Sequence, residues 1–238
     1  MADQELRQDV AACFRLLDRY AMSDLTNGSV VARDPTDPDT FLTHPHGMFF
    51  HEICASDLVR VRLDATPVDS VSVNQAVCRP AAAIFAARPD VNAIIHAHGH
   101  AVMSVAALEC GLLPLCEAAF PFYNDIGYIH GDFYFDDNYV AAIPKSLADH
   151  KALIYRHHAF ASVGATVAEA FFWAFQLNVA CEIQLKVLAS GEKVLIPEPD
   201  EAQRHHDAFF AEGWVADGSI EWPGLLRMLD SESSTYRS

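Results

Sequence analysis

Residues 93–108, AIIHAHGHAVMSVAAL, change their hydrophobic period within a few positions and constrain the fold more than any other stretch. The segment begins as an apolar strand, and period-two geometry predicts that His96, His98 and His100 share one face. It continues as an alanine-rich helix that is predicted to end at Gly111. A strand that passes directly into a helix is typical of a layered α/β arrangement.

Patterns elsewhere in the chain fit the same arrangement. Helical spacing of apolar residues predicts an amphipathic first helix, and alternation predicts a β-rich region up to about residue 74. The run 151–164 is predicted to form two strands, and 166–191 a long helix with Thr166 as its cap and Glu169 at the capping-box position. The polar residues 230–238 are expected to fray. We expect one domain spanning residues 1–238.

Charge and hydropathy exclude several classes of function. The chain has 16 Lys plus Arg against 32 Asp plus Glu, a formal charge of −16, which disfavours binding to nucleic acid. It has no uninterrupted apolar run of roughly 20 residues, as a membrane-spanning helix requires. The first residues lack the basic start and apolar centre of a secretory signal. These features predict a cytoplasmic protein without a nucleic-acid or membrane partner.

The alternating histidines have two interpretations. Imidazoles two residues apart on a strand can reach a common metal ion, and the small Ala97 and Gly99 would let another element pack behind them. Histidines on one face can equally line a polar cleft or bond to the backbone. A catalytic metal site generally needs a third protein ligand, and the strand LIYRHHAFASVG offers either His157 or His158.

Several motifs, in matching order, together resemble the class II aldolase/adducin family. AARPDVNAIIHAHGHA is similar to the family's Arg-Pro-Asp turn and His-x-His strand, and LIYRHHAFASVGATVAEAF to its Asn-His-Gly segment and following helix. DTFLTHPHGMFFHEICASDLVRVRLD resembles its early β-rich portion. The resemblance implies a mostly antiparallel central sheet between layers of helices, an αβα fold. It also implies homotetramers with active sites at subunit boundaries.

Carried over position by position, the resemblance implies a metal centre of His96, His98 and His158. His157 takes the position of the family's asparagine, beside the metal, where it would contact substrate. His100 follows the ligand pair and is either a substrate-facing group or a surface residue. Asn27 is retained from the family's substrate pocket. The implied cofactor is one divalent ion per subunit, with zinc, manganese, iron and cobalt all open.

Departures from the family pattern are informative about the reaction. Val77 stands where sugar-phosphate aldolases carry their catalytic glutamate, and a valine side chain cannot transfer a proton. The serines of the phosphate cradle are replaced by Gln75 and Ala76. A phosphorylated substrate is therefore disfavoured.

These observations favour a metal-dependent carbon–carbon lyase, a decarboxylase or retro-aldolase, for a small non-phosphorylated hydroxy- or oxo-acid that could be aromatic. One alternative is a non-haem iron oxygenase that oxidatively decarboxylates an aryl keto or hydroxy acid. Another is a non-catalytic, adducin-like assembly domain. Candidate acid/base residues are Glu117, Tyr123 and His130, although a glutamate at a helix end or a half-buried tyrosine is more often structural.

Overall fold

The computed structural model describes residues 2–130 and 136–238. The strands are β1 (Ser29–Arg33), β2 (Thr40–Thr43), β3 (Val59–Arg62), β4 (Ala93–Ala97), β5 (Gly127–His130), β6 (Ala152–Arg156) and β7 (Ala159–Gly164). The α-helices are α1 (Ala2–Arg19), α2 (Gln75–Ala87), α3 (His100–Ala106), α4 (Asp137–Leu147), α5 (Val167–Ala189), α6 (Pro199–Phe209) and α7 (Trp222–Glu232). Short 3₁₀ helices span Ala55–Asp57, Glu117–Phe122 and Thr235–Arg237.

The strands form one sheet in the order β3-β2-β1-β4-β7-β6-β5. Neighbouring strands are antiparallel except β5 and β6, which are parallel. This topology confirms the predicted mostly antiparallel sheet, and it places β4, the histidine strand, at the centre. The central position gives β4 hydrogen-bonded neighbours on both edges, β1 and β7.

Helices cover both faces of the sheet, which confirms the three-layer αβα architecture. Ile95 belongs to an apolar core shared with α1, α3 and α5, whereas Ile94 belongs to a second core shared with α2 and α4. Strands of this kind are buried on both faces, as period-two alternation between two cores requires. His96, two residues from Ile94, therefore lies on the α2 side of the sheet.

The start of α5 follows the predicted capping pattern with one difference. Thr166 Oγ1 accepts the N–H of Glu169 at 3.1 Å, as an N-cap threonine does. The Glu169 carboxylate accepts the N–H of Ala165 at 2.7 Å rather than that of Thr166, and it also accepts from the Lys151 ammonium at 2.7 Å. Within the described ranges, α5 and the other helices lack the combination of length and apolar character needed to cross a bilayer.

The expectation that residues 230–238 fray is wrong. Tyr236 is only 1% exposed, and its hydroxyl donates to Asp230 at 2.9 Å. Arg237 makes two further hydrogen bonds to the Asp230 carboxylate at 2.8 Å. The composition of this segment is polar, but its aromatic residue Tyr236 packs against the core containing α1 and holds the segment in place.

His44, directly after β2, is a buried histidine with incomplete hydrogen bonding. Its ring lies against Phe14 and Phe50, with centroids 4.8 and 6.1 Å apart. Among the described residues its Nδ1 has no hydrogen-bond partner. Burial lowers the pKa of His44 from 6.5 to about 4, because the charged form is poorly solvated there.

We expect His44 to make folding less favourable as the pH falls from 6.5 towards 4. In that interval the unfolded chain binds a proton at His44 and the folded chain does not, so the free energy of unfolding falls, by up to roughly 3 kcal/mol in total. His44→Phe removes this titratable group and keeps an aromatic ring at the position. Urea unfolding at several pH values should give a flatter pH profile for the variant; parallel profiles would contradict the assignment.

Candidate metal centre

Pairing of β4 with β7 brings the two histidine segments together. His96 is paired with Ala161 and Ala97 with Phe160, so the end of β4 lies beside the start of β7. The turn that connects β6 to β7 carries His157 and His158. His98 follows β4 by one residue, and the sheet register therefore sets it opposite this turn.

His96, His98 and His158 converge on one point. One ring nitrogen from each lies within 4.8 Å of the other two. The ring centroids are separated by 5.3 Å for His96–His98, 5.4 Å for His96–His158 and 5.0 Å for His98–His158. Imidazole nitrogens are common metal ligands, and a set of three with an open position is typical of catalytic zinc sites.

Electrostatics favour the neutral form of all three rings. Burial lowers the pKa of His96 well below its ordinary value. Burial also lowers the pKa of His98 against an opposing effect of Asp24, and that of His158 to about 4. Only a neutral imidazole has a lone pair to donate, so the donor set fits a divalent metal at neutral pH.

A tight loop between α1 and β1 packs against the triad. Asp24 Oδ2 lies 3.2 Å from Nδ1 of His98, and Asn27 Nδ2 donates to the same Asp24 oxygen at 3.1 Å. The hydrogen bond from Asn27 lowers the pKa of Asp24, with a further contribution from His98. Gly28 adopts φ +93°, and a Cβ there would lie 2.6 Å from the carbonyl oxygen of His96. Glycine therefore permits the close approach of this loop.

Small residues behind the histidines allow close packing, as the sequence predicted. Ala97 is fully buried. A Cβ on Gly99 would lie 2.9 Å from the side-chain oxygen of Asn178 in α5 and 3.3 Å from Met22. Helix α5 therefore packs directly behind the histidine segment, on the face of the sheet opposite α2.

The triad forms one wall of a cavity of about 390 Å³. The lining residues are Asn27, Gly28, Asn74, Ala76, Val77, His96, His98, Met103, His157 and His158. Among these described residues there is no carboxylate, lysine, arginine or tyrosine. Beside Val77 and His96, a small space of about 20 Å³ with a mostly apolar lining lies between α2 and the sheet.

Two of the predicted substrate-binding residues lie in this cavity. Asn27 and His157 both line it, and His157 has φ +61°. A positive φ at a histidine is an uncommon conformation that tends to persist at functional sites. It turns the chain so that the backbone N–H of His158 donates to the backbone carbonyl oxygen of Tyr155 at 3.1 Å. Both histidines then lie at the cavity.

His100 requires a correction. The expectation that it shares a strand face with His96 and His98 is wrong, because β4 ends at Ala97 and His100 is the first residue of α3. It is exposed and is not one of the residues that line the cavity.

The candidate acid/base residues lie away from this cavity within the chain. Glu117 is exposed at the start of a 3₁₀ helix and lines a separate groove with Trp214. Tyr123, half-buried, directly follows that 3₁₀ helix. His130 is exposed at the end of the edge strand β5, at the same end of the sheet as His158. Their role in proton transfer stays a prediction.

Sequence reasoning missed Asp24, Asn74 and Met103. Asn74 caps α2 by accepting the N–H of Ala76 at 3.0 Å, and an asparagine before a helical pattern is a recognisable cap signal. Asp24 stands next to the Asn-Gly turn in the sequence. No local pattern predicts its contact with His98, which is 74 positions away.

Comparison with known proteins decides the family. Residues 8–185 match the sequence profile described as Class II Aldolase and Adducin N-terminal domain. The chain belongs to this family. It is 36% identical to alpha-adducin of Mus musculus over 245 aligned residues, which cover 95% of this chain but only 33% of that protein. The chain thus spans about a third of the length of the adducin it matches.

Other members match over most of their length. A protein of Caulobacter vibrioides named among the class 2 aldolases is 33% identical over 238 residues, covering 99% of this chain and 93% of the relative. The crystal structure of an aldolase II superfamily protein from Pseudomonas syringae superposes with a TM-score of 0.94 at 28% identity, covering 100% of this chain and 96% of that one. Both comparisons confirm the predicted family and fold.

Proposed function

We propose that this class II aldolase/adducin family member is a metal-dependent lyase that cleaves a carbon–carbon bond in a small, non-phosphorylated hydroxy- or oxo-acid. The observation that carries the proposal is the histidine triad at the wall of an open cavity. A domain that serves only in assembly has no need for three converging neutral imidazoles beside an accessible space.

His96, His98 and His158 would hold one divalent ion. When bound, the ion supplies Lewis acidity toward an oxygen that gains charge as the bond breaks. Nitrogen donors of this kind suit zinc, iron and cobalt, and a site open to oxygen ligands admits manganese. The metal identity is part of the test below.

The remaining lining residues define the substrate class. Asn27 and His157 offer polar side chains for a hydroxyl or carbonyl group. Val77, Ala76 and Met103 contribute apolar surface to the cavity, which fits an aliphatic or aromatic substituent. No described lining residue is a lysine or arginine, so a phosphate dianion would lack a charged partner.

We also propose a homotetramer. Large apolar side chains between α6 and α7 are exposed, Trp214 at 54% and Ile220 at 69%, and a second subunit would cover such side chains. We propose that in such an assembly Glu117, Tyr123 or His130 of one subunit serves the cavity of another as the proton-transferring group. Light scattering on the purified protein measures the oligomeric state directly, and a monomer would contradict this part.

Two alternatives are tied to particular observations. Three nitrogen donors permit a non-haem iron oxygenase for aryl keto or hydroxy acids, although iron oxygenases more often use two histidines and a carboxylate. The 36% identity to alpha-adducin favours a non-catalytic, adducin-like assembly domain. The three functions differ in metal content and in the requirement for oxygen.

The experiment compares metal-free protein with protein reloaded with Zn²⁺, Mn²⁺, Co²⁺ or Fe²⁺. Each form is incubated with aliphatic and aromatic 2-hydroxy and 2-oxo acids and with a sugar phosphate, under argon and in air. We expect metal-dependent release of carbon dioxide or an aldehyde under argon from a non-phosphorylated acid. Iron-dependent turnover only in air would support the oxygenase, and metal-free, inactive protein the assembly domain.

His157→Asn should lower turnover by about 100-fold, the lower end of the effect of one positioned proton-transferring group. Asparagine tolerates a positive φ, so the turn and the metal affinity should be retained. Glycine also adopts a positive φ, so His157→Gly removes the whole side chain without straining the turn and serves as the matched variant. If both variants turn over substrate at the wild-type rate, His157 has no contact with the reacting molecule.

A further inference from the structure

The orientation of His98 is not fixed by the sheet alone. β4 ends at Ala97, so His98 lies beyond the last paired residue and its ring needs another restraint. The side chain is 12% exposed, and its near neighbours in the described structure include the other two triad rings and the carboxylate of Asp24. Asp24 is thus the polar group that can set the rotation of this ring.

Hydrogen-bond chemistry decides which ring nitrogen faces the metal. An ionised carboxylate only accepts hydrogen bonds. At 3.2 Å from Asp24 Oδ2, Nδ1 of His98 therefore carries the hydrogen. In a neutral imidazole the lone pair is then on Nε2, the nitrogen left to bind a metal.

Asp24 is itself held by its own loop. Asn27 donates to the Asp24 carboxylate through its side chain at 3.1 Å and to the Asp24 carbonyl oxygen through its backbone N–H at 2.8 Å. Gly28 then seats the loop against the His96 carbonyl. Asn27 also lines the substrate cavity, so one short loop contacts both the cavity and the metal ligand.

We propose that Asp24 is a positioning residue for the metal centre: its carboxylate fixes His98 with Nδ1 protonated and Nε2 directed at the ion. This inference rests on the metal binding proposed above. Asp24 would act through His98 and is not one of the residues that would hold the ion. Groups that orient a metal-binding histidine in this way contribute about 10–100-fold to metal affinity.

The test is a chelator-competition titration with Zn²⁺ alone on the full chain. Asp24→Ala should weaken Zn²⁺ binding by about 10–100-fold. Asp24→Asn, which keeps an accepting oxygen and nearly the same shape, should lose less. Asp149→Ala is the control, because it removes the same charge from a side chain that is 97% exposed. Asp149 precedes β6, at the end of that strand remote from the triad. This variant should bind Zn²⁺ as wild type does.

A double-variant comparison separates positioning from a general effect of charge. In the His98→Ala background, Asp24→Ala should produce no further loss, because the residue has no ring left to orient. The visible spectrum of bound Co²⁺ should shift in Asp24→Ala and remain unchanged in Asp149→Ala. Wild-type affinity in Asp24→Ala, or a full additional loss in the double variant, would overturn the positioning role while metal binding stands. Failure of the wild-type protein to bind any metal would overturn both proposals.

Discussion

Replacing His158 with alanine is expected to reduce metal affinity and turnover by more than about 100-fold, beyond the loss typical of an outer-shell partner. The change leaves His96 and His98 as a pair, and two imidazoles do not complete a stable catalytic site. Urea unfolding of the metal-free variant establishes that it is folded before metal is added.

The stabilising effect of the metal gives a second measurement on the same variant. An ion at 100 times its Kd adds about 2.7 kcal/mol to the free energy of unfolding of a protein that binds it only when folded. Wild type should show this increase on addition of Zn²⁺, and His158→Ala should not. His157→Asn, one position away, is the matched control and should respond as wild type does. An equal response of all three would remove His158 from the ligand set.

Replacing Gly28 with alanine is expected to destabilise the fold by several kcal/mol and to weaken the metal centre. An alanine at φ +93° costs roughly 1–2 kcal/mol in backbone conformation. Its Cβ would also lie 2.6 Å from the His96 carbonyl oxygen and 3.2 Å from the Phe50 ring. The loop would have to withdraw from β4, and Asp24 would move with it.

Gly47 offers the control that separates the two contributions. It has a similar φ of +100°, but a Cβ there meets nothing within 4 Å. Gly47→Ala should therefore lose only the conformational contribution, and urea unfolding should rank it between wild type and Gly28→Ala. Equal losses of stability in the two variants would mean that the close approach of Gly28 to β4 does not contribute to the stability of the fold.

The parts of the fold that depend on local pattern could be predicted from the sequence. Alternation identified the strand that contains His96, and the Thr166 cap marked the start of α5. Alternation predicts a strand face that extends to His100, whereas β4 ends at Ala97 because Gly99 precedes a helix start that local alternation does not reveal. The polar composition of 230–238 predicts a fraying end because composition does not show that Tyr236 packs against the core containing α1.

Some residues of the candidate site could likewise be predicted from the sequence, and others could not. The His-x-His spacing and the family resemblance supplied the triad, whose convergence depends on the register of β4 with β7. Asp24 was missed because its contact with His98 depends on the pairing of Ser29 with His96 and on the turn at Gly28. Such contacts join segments that are distant in the sequence, and hydrophobic periodicity, which is a local pattern, does not predict them.

The metal content of wild-type protein purified without chelator decides whether the three histidines form a metal site. Elemental analysis, before and after incubation with Zn²⁺, Mn²⁺, Co²⁺ or Fe²⁺ and desalting, measures it. We expect about one divalent ion per chain, held by His96, His98 and His158. Protein that contains no metal and retains none after incubation would contradict it.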